Sequence, residues 1–278
     1  VMVEGIVTAK TFDGYFIQSP DDATDGLPET SEALFVQLES NQDLPASPGD
    51  RVVVYGRVEE VLPYDYPHQL TVTRLVNITG QFVIATGEAL PAPIELDAVD
   101  LAHGSDPTAL ERLEGMRVSA AELVVVGATQ SYVRPDNQIV FPNGNFHAVL
   151  GTSIAFDALP FREPGLSPFT AEPLPAGKSL PFNDGNPQVL RVEARGQRGS
   201  IHTTLEVGLN DRVRDAVGVL GYAGARYALL LDAQAPLAVE PGYRGEGAFF
   251  LSPGEVKLVW MDLGGLYDAS DDPLRDEP

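Results

Sequence analysis

Hydrophobic and polar positions alternate in short stretches along most of the chain, and turn-forming residues separate one stretch from the next. "VMVEGIVTAK", "GYFIQSP", "ALFVQL", "DRVVVYGRVEEV" and "QLTVTRLVNI" follow one another within residues 1–86. Their β-branched and aromatic residues recur at the period of two that a half-buried strand needs, and Pro48-Gly49 introduces the longest of them. Five such strands in so short a stretch predict a small closed barrel of the OB type. Gly56 interrupts the longest strand, which is where a barrel corner places a bulge or sharp bend.

Residues 87–111 carry Pro91, Pro93 and Pro107 with little periodicity and read as a linker. Asp106-Pro107 supplies a cap and first position for a short helix reaching Glu111. A second strand set opens at "LEGMRVSAAELVVVG" and resumes with "VLRVEARGQ", "TTLEV", "DRVRDAVGVLGY" and "RYALLLD". Between these lies a proline- and glycine-rich excursion, residues 144–187, which predicts a surface insertion. The expected fold is all-β: two OB-type small β-barrels in tandem, at 1–86 and 112–242, the second carrying the 144–187 insertion. An internal echo supports the repeat. Gly49-Asp50-Arg51-Val52 leads to Gly56, and Asn210-Asp211-Arg212-Val213 leads to Gly218. Residues 243–278 add an apolar strand pattern, "VKLVWM" at 256–261, and an acidic tail.

Composition narrows the function. No apolar run approaches the roughly 18 residues of a membrane helix, so no membrane span is expected. The absence of cysteine excludes disulfides, thiolate metal sites and cysteine nucleophiles. A start at Val1 without a leader is compatible with a signal peptide already removed, hence with an extracellular, cell-surface or periplasmic location. The formal net charge of −22 opposes the basic face of a nucleic-acid binder. One stretch departs from it: residues 191–226 hold Arg191, Arg195, Arg198, Arg212, Arg214 and Arg226 against four acids.

Candidate chemistry is sparse. Asp21, Asp22 and Asp25 in "PDDATDG" form an oxygen-rich turn that suits Ca²⁺ or Mg²⁺ or is a plain solvated loop, and no other cofactor is implied. The four histidines, His68, His103, His147 and His202, are far apart in sequence and fit no catalytic or metal spacing. No nucleophile elbow and no phosphate-binding glycine loop occurs, so no catalytic residue is assigned. OB barrels hold single strands by stacking bases on exposed rings. Tyr64 and Tyr66 in "PYDYPH", with Tyr222 and Tyr227 flanking Arg226, are the aromatic candidates; Arg191, Arg195 and Arg198 are the cationic ones. The alternative is that Phe16 and Tyr55 fill the core, Tyr64 and Tyr66 pack against Pro63 and Pro67, and the arginines pair with neighbouring acids.

The segments "VEGIVTA…DGYFIQSPDDATDG…ALFVQL…PGDRVVVYGRVEEV…QLT", "ALPAPIEL", "LERLEGMRVS" and "LEVGLNDRVRDAVGVLGYAGARYALLL" come in an order that resembles a known region. It is the tandem OB-like region ahead of the catalytic domain in secreted bacterial nucleases of the endonuclease/exonuclease/phosphatase superfamily. "MDLGGLYDASDDP" resembles the first motif of that catalytic domain, with Asp262 and Gly265 where the family has asparagines. The resemblance implies that the later acidic and Asp-His elements would need about 200 further residues. The chain as given is therefore expected to be a non-catalytic binding module, its partner single-stranded nucleic acid or another cell-envelope protein. Two alternatives stand beside it: an accessory subunit of a cell-surface assembly, and a fragment of a metal-dependent extracellular nuclease.

Overall fold

The computed structural model describes residues 1–39, 46–62, 70–101, 106, 108–133, 140–151, 189–202, 205–223 and 226–242. Its first five strands are β1 (Met2–Lys10), β2 (Gly14–Gln18), β3 (Ala33–Gln37), β4 (Arg51–Val61) and β5 (Val72–Ala85). They close into a barrel in the order β1-β2-β3-β5-β4, with β4 returning to β1. Every neighbour is antiparallel except the β3–β5 pair.

The chain continues through β6 (Ile94–Glu95), a 3₁₀ turn (Glu111–Leu113), β7 (Arg117–Gly127), β8 (Ser131–Val133), β9 (Val140–Pro142), β10 (Asn145–Leu150), β11 (Leu190–Glu193), β12 (Arg212–Ala223), β13 (Arg226–Leu231) and β14 (Ala238–Glu240). A second barrel closes as β7-β10-β11-β13-β12, and β12 returns to β7. The strand order repeats that of the first barrel, and its parallel pair, β11–β13, falls at the same step. The fold is all-β, two OB-type barrels in tandem, with no α-helix among the described residues.

Period-two alternation fills both interiors. Val7, Tyr15, Ile17, Val36, Val52, Val54 and Leu75 point into the first barrel. Phe146, Ala148, Leu190, Val192, Val213, Leu229 and Leu231 point into the second. Three expectations need correction. The short helix near Asp106 is a single 3₁₀ turn over Glu111–Leu113. "TTLEV" is not a strand over its described part, although Val207 still enters the core. The stretch read as insertion from residue 144 opens with β10, a central strand of the barrel whose residues Phe146–Leu150 are buried. Its six residues sit directly after Pro142-Asn143-Gly144 and begin with a further asparagine, which masks them as loop.

The sequence echo marks equivalent corners. Gly49 (φ 88°) and Asn210 (φ 67°) take the left-handed conformation that reverses the chain into the fourth strand of each barrel. The following aspartates close the same turn: the Ser47 N–H donates to Asp50 Oδ2 (2.8 Å), and the Gly208 N–H donates to Asp211 Oδ2 (2.6 Å). Each turn is bolted to the first strand by the same backbone pair, Val7 with Gly49 and Asp50, and Val125 with Asn210 and Asp211. Gly56 sits at a register shift against β5, as its strand-interior position predicts. A Cβ at Gly218 would lie 2.2 Å from the Leu230 carbonyl oxygen, so the fourth and fifth strands of the second barrel approach through it.

Candidate functional site

OB barrels take ligands on the outer face of their second and third strands. The repeat allows that face to be compared between the two copies. Val7 and Val125 are equivalent. In the first barrel Val7 pairs with Ile17 and Ala9 with Phe16, and in the second Val125 pairs with Ala148 and Gly127 with His147. Phe16 therefore corresponds to His147. One strand further, Phe16 faces Phe35 and His147 faces Arg191.

In the first barrel this face is covered. Phe16 and Phe35 pack ring against ring, with centroids 4.8 Å apart, and form a buried cluster with Ala9 and with Val219, Ala228 and Leu230 of the second barrel. Polar contacts fasten the same seam. The Arg117 N–H donates to Gln18 Oε1 (2.8 Å), Ser31 Oγ to the Glu114 carbonyl (2.6 Å), and the Thr73 N–H to Glu114 Oε1 (3.1 Å). Arg198, a sequence candidate for nucleic acid, braces the seam: its N–H donates to the Lys10 carbonyl (2.7 Å) and its guanidinium lies 5.4 Å over the Phe12 ring.

A cleft of about 560 Å³ opens beside the seam, walled by Phe12, Phe16 and Phe35 and bearing Arg74, Glu114 and Arg195. The Arg74 guanidinium lies 5.6 Å over Phe35 and donates to Gln37 Oε1 (3.2 Å). Burial, then the neighbouring Glu111 carboxylate, pushes the Glu114 carboxyl up to about 8, so it is largely protonated at neutral pH. Glu111 itself accepts the Tyr227 hydroxyl (2.8 Å).

In the second barrel the equivalent face is polar. His147 on β10 is only 7 % exposed, and its Nδ1 has no hydrogen-bond partner among the described residues. Arg191 on β11 is its cross-strand neighbour, and Arg226 comes from β13. Burial, then Arg226 and Arg191, holds the imidazole down at about 4 and therefore neutral at physiological pH. Arg191 Nε lies 2.7 Å from Glu193 Oε1 in an ion pair but off the hydrogen-bonding direction.

The structure thus brings Arg191 and Arg226 together, places Arg195 on the cleft, and assigns Arg198 to the seam. Tyr222 and Tyr227 are corrected: they do not form a stacking platform. They are cross-strand partners packed edge-to-face (5.4 Å) on the core side of the β12–β13 hairpin, and Tyr222 Oη accepts the Leu70 N–H (3.3 Å). Tyr64 and Tyr66 lie outside the described residues. Asp21, Asp22 and Asp25 do not converge on a metal position. Asp21 accepts the Ala92 N–H and Asp25 closes its own turn onto Leu27 and Thr30, and no metal-holding cluster of three such side chains occurs among the described residues. Sequence reasoning missed His147 and Glu114, because each gains its meaning from residues across a barrel or across the seam.

No protein-family model, curated protein or solved structure matches the chain. Among the described residues no helix is long and apolar enough to cross a membrane.

Proposed function

We propose that the chain is a non-catalytic binding module that holds single-stranded nucleic acid along the β10–β11 face of its second barrel. The observation that carries this reading is the contrast between the two equivalent faces: the first is sealed by apolar packing, while the second presents Arg191 and Arg226 and leads to Arg195 on the cleft. A secreted setting and kinship with the OB-like region of extracellular nucleases accord with this reading. With Tyr227 buried and the half-buried Tyr222 on the cleft wall holding the Leu70 N–H through its hydroxyl, the contacts are to phosphates rather than stacked bases. A net charge of −22 gives no long-range attraction, so binding rests on few local contacts.

Binding of fluorescent single-stranded DNA across a salt series, with and without Ca²⁺ or Mg²⁺, tests it. Two or three phosphate contacts give a slope of log K on log salt of about −1.4 to −2.1. The double variant Arg195→Ala, Arg226→Ala should lower affinity and flatten that slope by about 1.4. Unchanged affinity and slope would overturn the reading.

A second reading, an accessory subunit of a cell-surface assembly, is favoured by one surface. Met2, Tyr55, Phe82 and Ile84 lie exposed on β1, β4 and β5, with Tyr55 and Phe82 edge-on at 6.3 Å. A stoichiometric protein partner that is lost on Phe82→Asp supports this reading, and a partner-free monomer counts against it.

A further inference from the structure

We infer that His147, Arg191 and Arg226 form a binding site for one tetrahedral oxyanion, a phosphate group. The inference deepens the preceding reading in that a nucleic-acid backbone is one source of such a group; free inorganic phosphate is the other.

Register places the three side chains on one side of the sheet. Phe146, Ala148, Leu190, Val192 and Tyr227 point into the barrel, so His147, Arg191 and Arg226 point out of it. His147 stands directly opposite Arg191. In the parallel β11–β13 pair Arg191 stands opposite Ala228, which puts Arg226 one same-face position away. Three strands therefore contribute one nitrogen-bearing side chain each to a single spot.

Among the described residues the spot is short of negative charge and of acceptors. Among the described residues two guanidiniums face one carboxylate, Glu193, and β7 places Gly127 opposite His147. His147 Nδ1 is buried and without a hydrogen-bond partner among the described residues, while Arg191 Nε beside it is ion-paired with Glu193 Oε1 at 2.7 Å. Buried polar nitrogens in a folded protein are nearly always partnered, so the orphaned imidazole nitrogen calls for an acceptor. A neutral imidazole can supply Nδ1–H as a donor. Donors arriving from three strands suit an anion with several oxygens set in different directions, whereas a planar carboxylate matches a single arginine fork.

The repeat gives an independent argument. Phe16 and Phe35, the counterparts of His147 and Arg191, are the place where the first barrel receives Val219, Ala228 and Leu230. The same position in the second barrel has exchanged two apolar rings for an imidazole and a guanidinium, so the complement it receives is anionic.

The test is an NMR titration of the full chain, labelled on its histidine rings, with inorganic phosphate. His147 resonances should move saturably, and the apparent pKa of His147 should rise by about one unit, because the bound anion offsets the field of Arg191 and Arg226. His202 serves as the internal control. Arg191→Gln and Arg226→Gln should each weaken phosphate binding about tenfold, and His147→Phe, which restores the first barrel's residue, should abolish it. His147 resonances indifferent to phosphate in the folded wild-type chain would overturn the site. Single-stranded DNA is the second arm. A response to phosphate without DNA binding keeps the oxyanion site and refutes the nucleic-acid reading. DNA binding with His147 silent to both ligands refutes the oxyanion site and keeps that reading.

Discussion

Glu114 couples a single proton to the junction of the two barrels. Its carboxyl is buried at the seam, accepts the Thr73 N–H, and has Glu111 as an acidic neighbour, with Glu60 and Arg74 further contributors. Below about pH 4.5 the group is protonated whether the chain is folded or unfolded, and its contribution to stability is fully present. Between that value and about 8 the unfolded chain ionises while the folded one does not, so the contribution is lost as pH rises through the folded value. The loss is roughly 3 kcal/mol once solvent screening is allowed for. Glu114→Gln keeps an acceptor for Thr73 and cannot ionise. Urea midpoints measured from about pH 5 to about pH 9 should fall with pH in the wild type and fall much less in the variant. Parallel curves would show that Glu114 is not the group responsible. Nothing in "LEGMR" reveals this role, because the burial that creates it comes from a strand about forty residues earlier.

At the scale of elements, the repeated corner before the fourth strand gives a graded prediction. Among the described residues Asp50 holds one backbone N–H with its side chain, that of Ser47, whereas buried Asp211 holds those of Gly208 and Gly242. Asp211→Ala should cost about 2–3 kcal/mol and Asp50→Ala about 1 kcal/mol in denaturant unfolding. Equal costs would mean that the Gly242 contact contributes nothing. These corners were legible in sequence because a left-handed residue followed by Asp-Arg-Val is a local backbone requirement. Most strands were legible for a similar reason, since period-two patterns survive in any context. β10 was hidden by the turn residues around it, and its neighbour in the barrel, β11, lies beyond a long run of proline and glycine. The site was half visible: Arg191 and Arg226 stood out as charges in an acidic chain, but their meeting with His147 depends on register between strands. Tyr222 and Tyr227 stood as stacking candidates because the sequence does not show to which side a hairpin turns its rings.

The molecule as a whole behaves as one unit to the extent that its seam holds. Leu230 points out of the second barrel and into the cluster with Phe16 and Phe35, so Leu230→Asp should disturb the seam while leaving both barrel interiors intact. Calorimetry should show a single transition for the wild type and two for Leu230→Asp. One transition in both would place the coupling elsewhere. The seam also joins positions far apart in the chain, Phe35 near the beginning and Leu230 about 200 residues later. During synthesis at about 5–20 residues per second, the first barrel can close once β5 is made and then wait about 7–30 s before the strand that covers its aromatic pair has been made. For that interval Phe16 and Phe35 are an uncovered apolar surface on an otherwise finished domain. The nascent chain is most exposed to chaperone capture, or to pairing with another copy of itself, in that window, and it ends when β13 emerges.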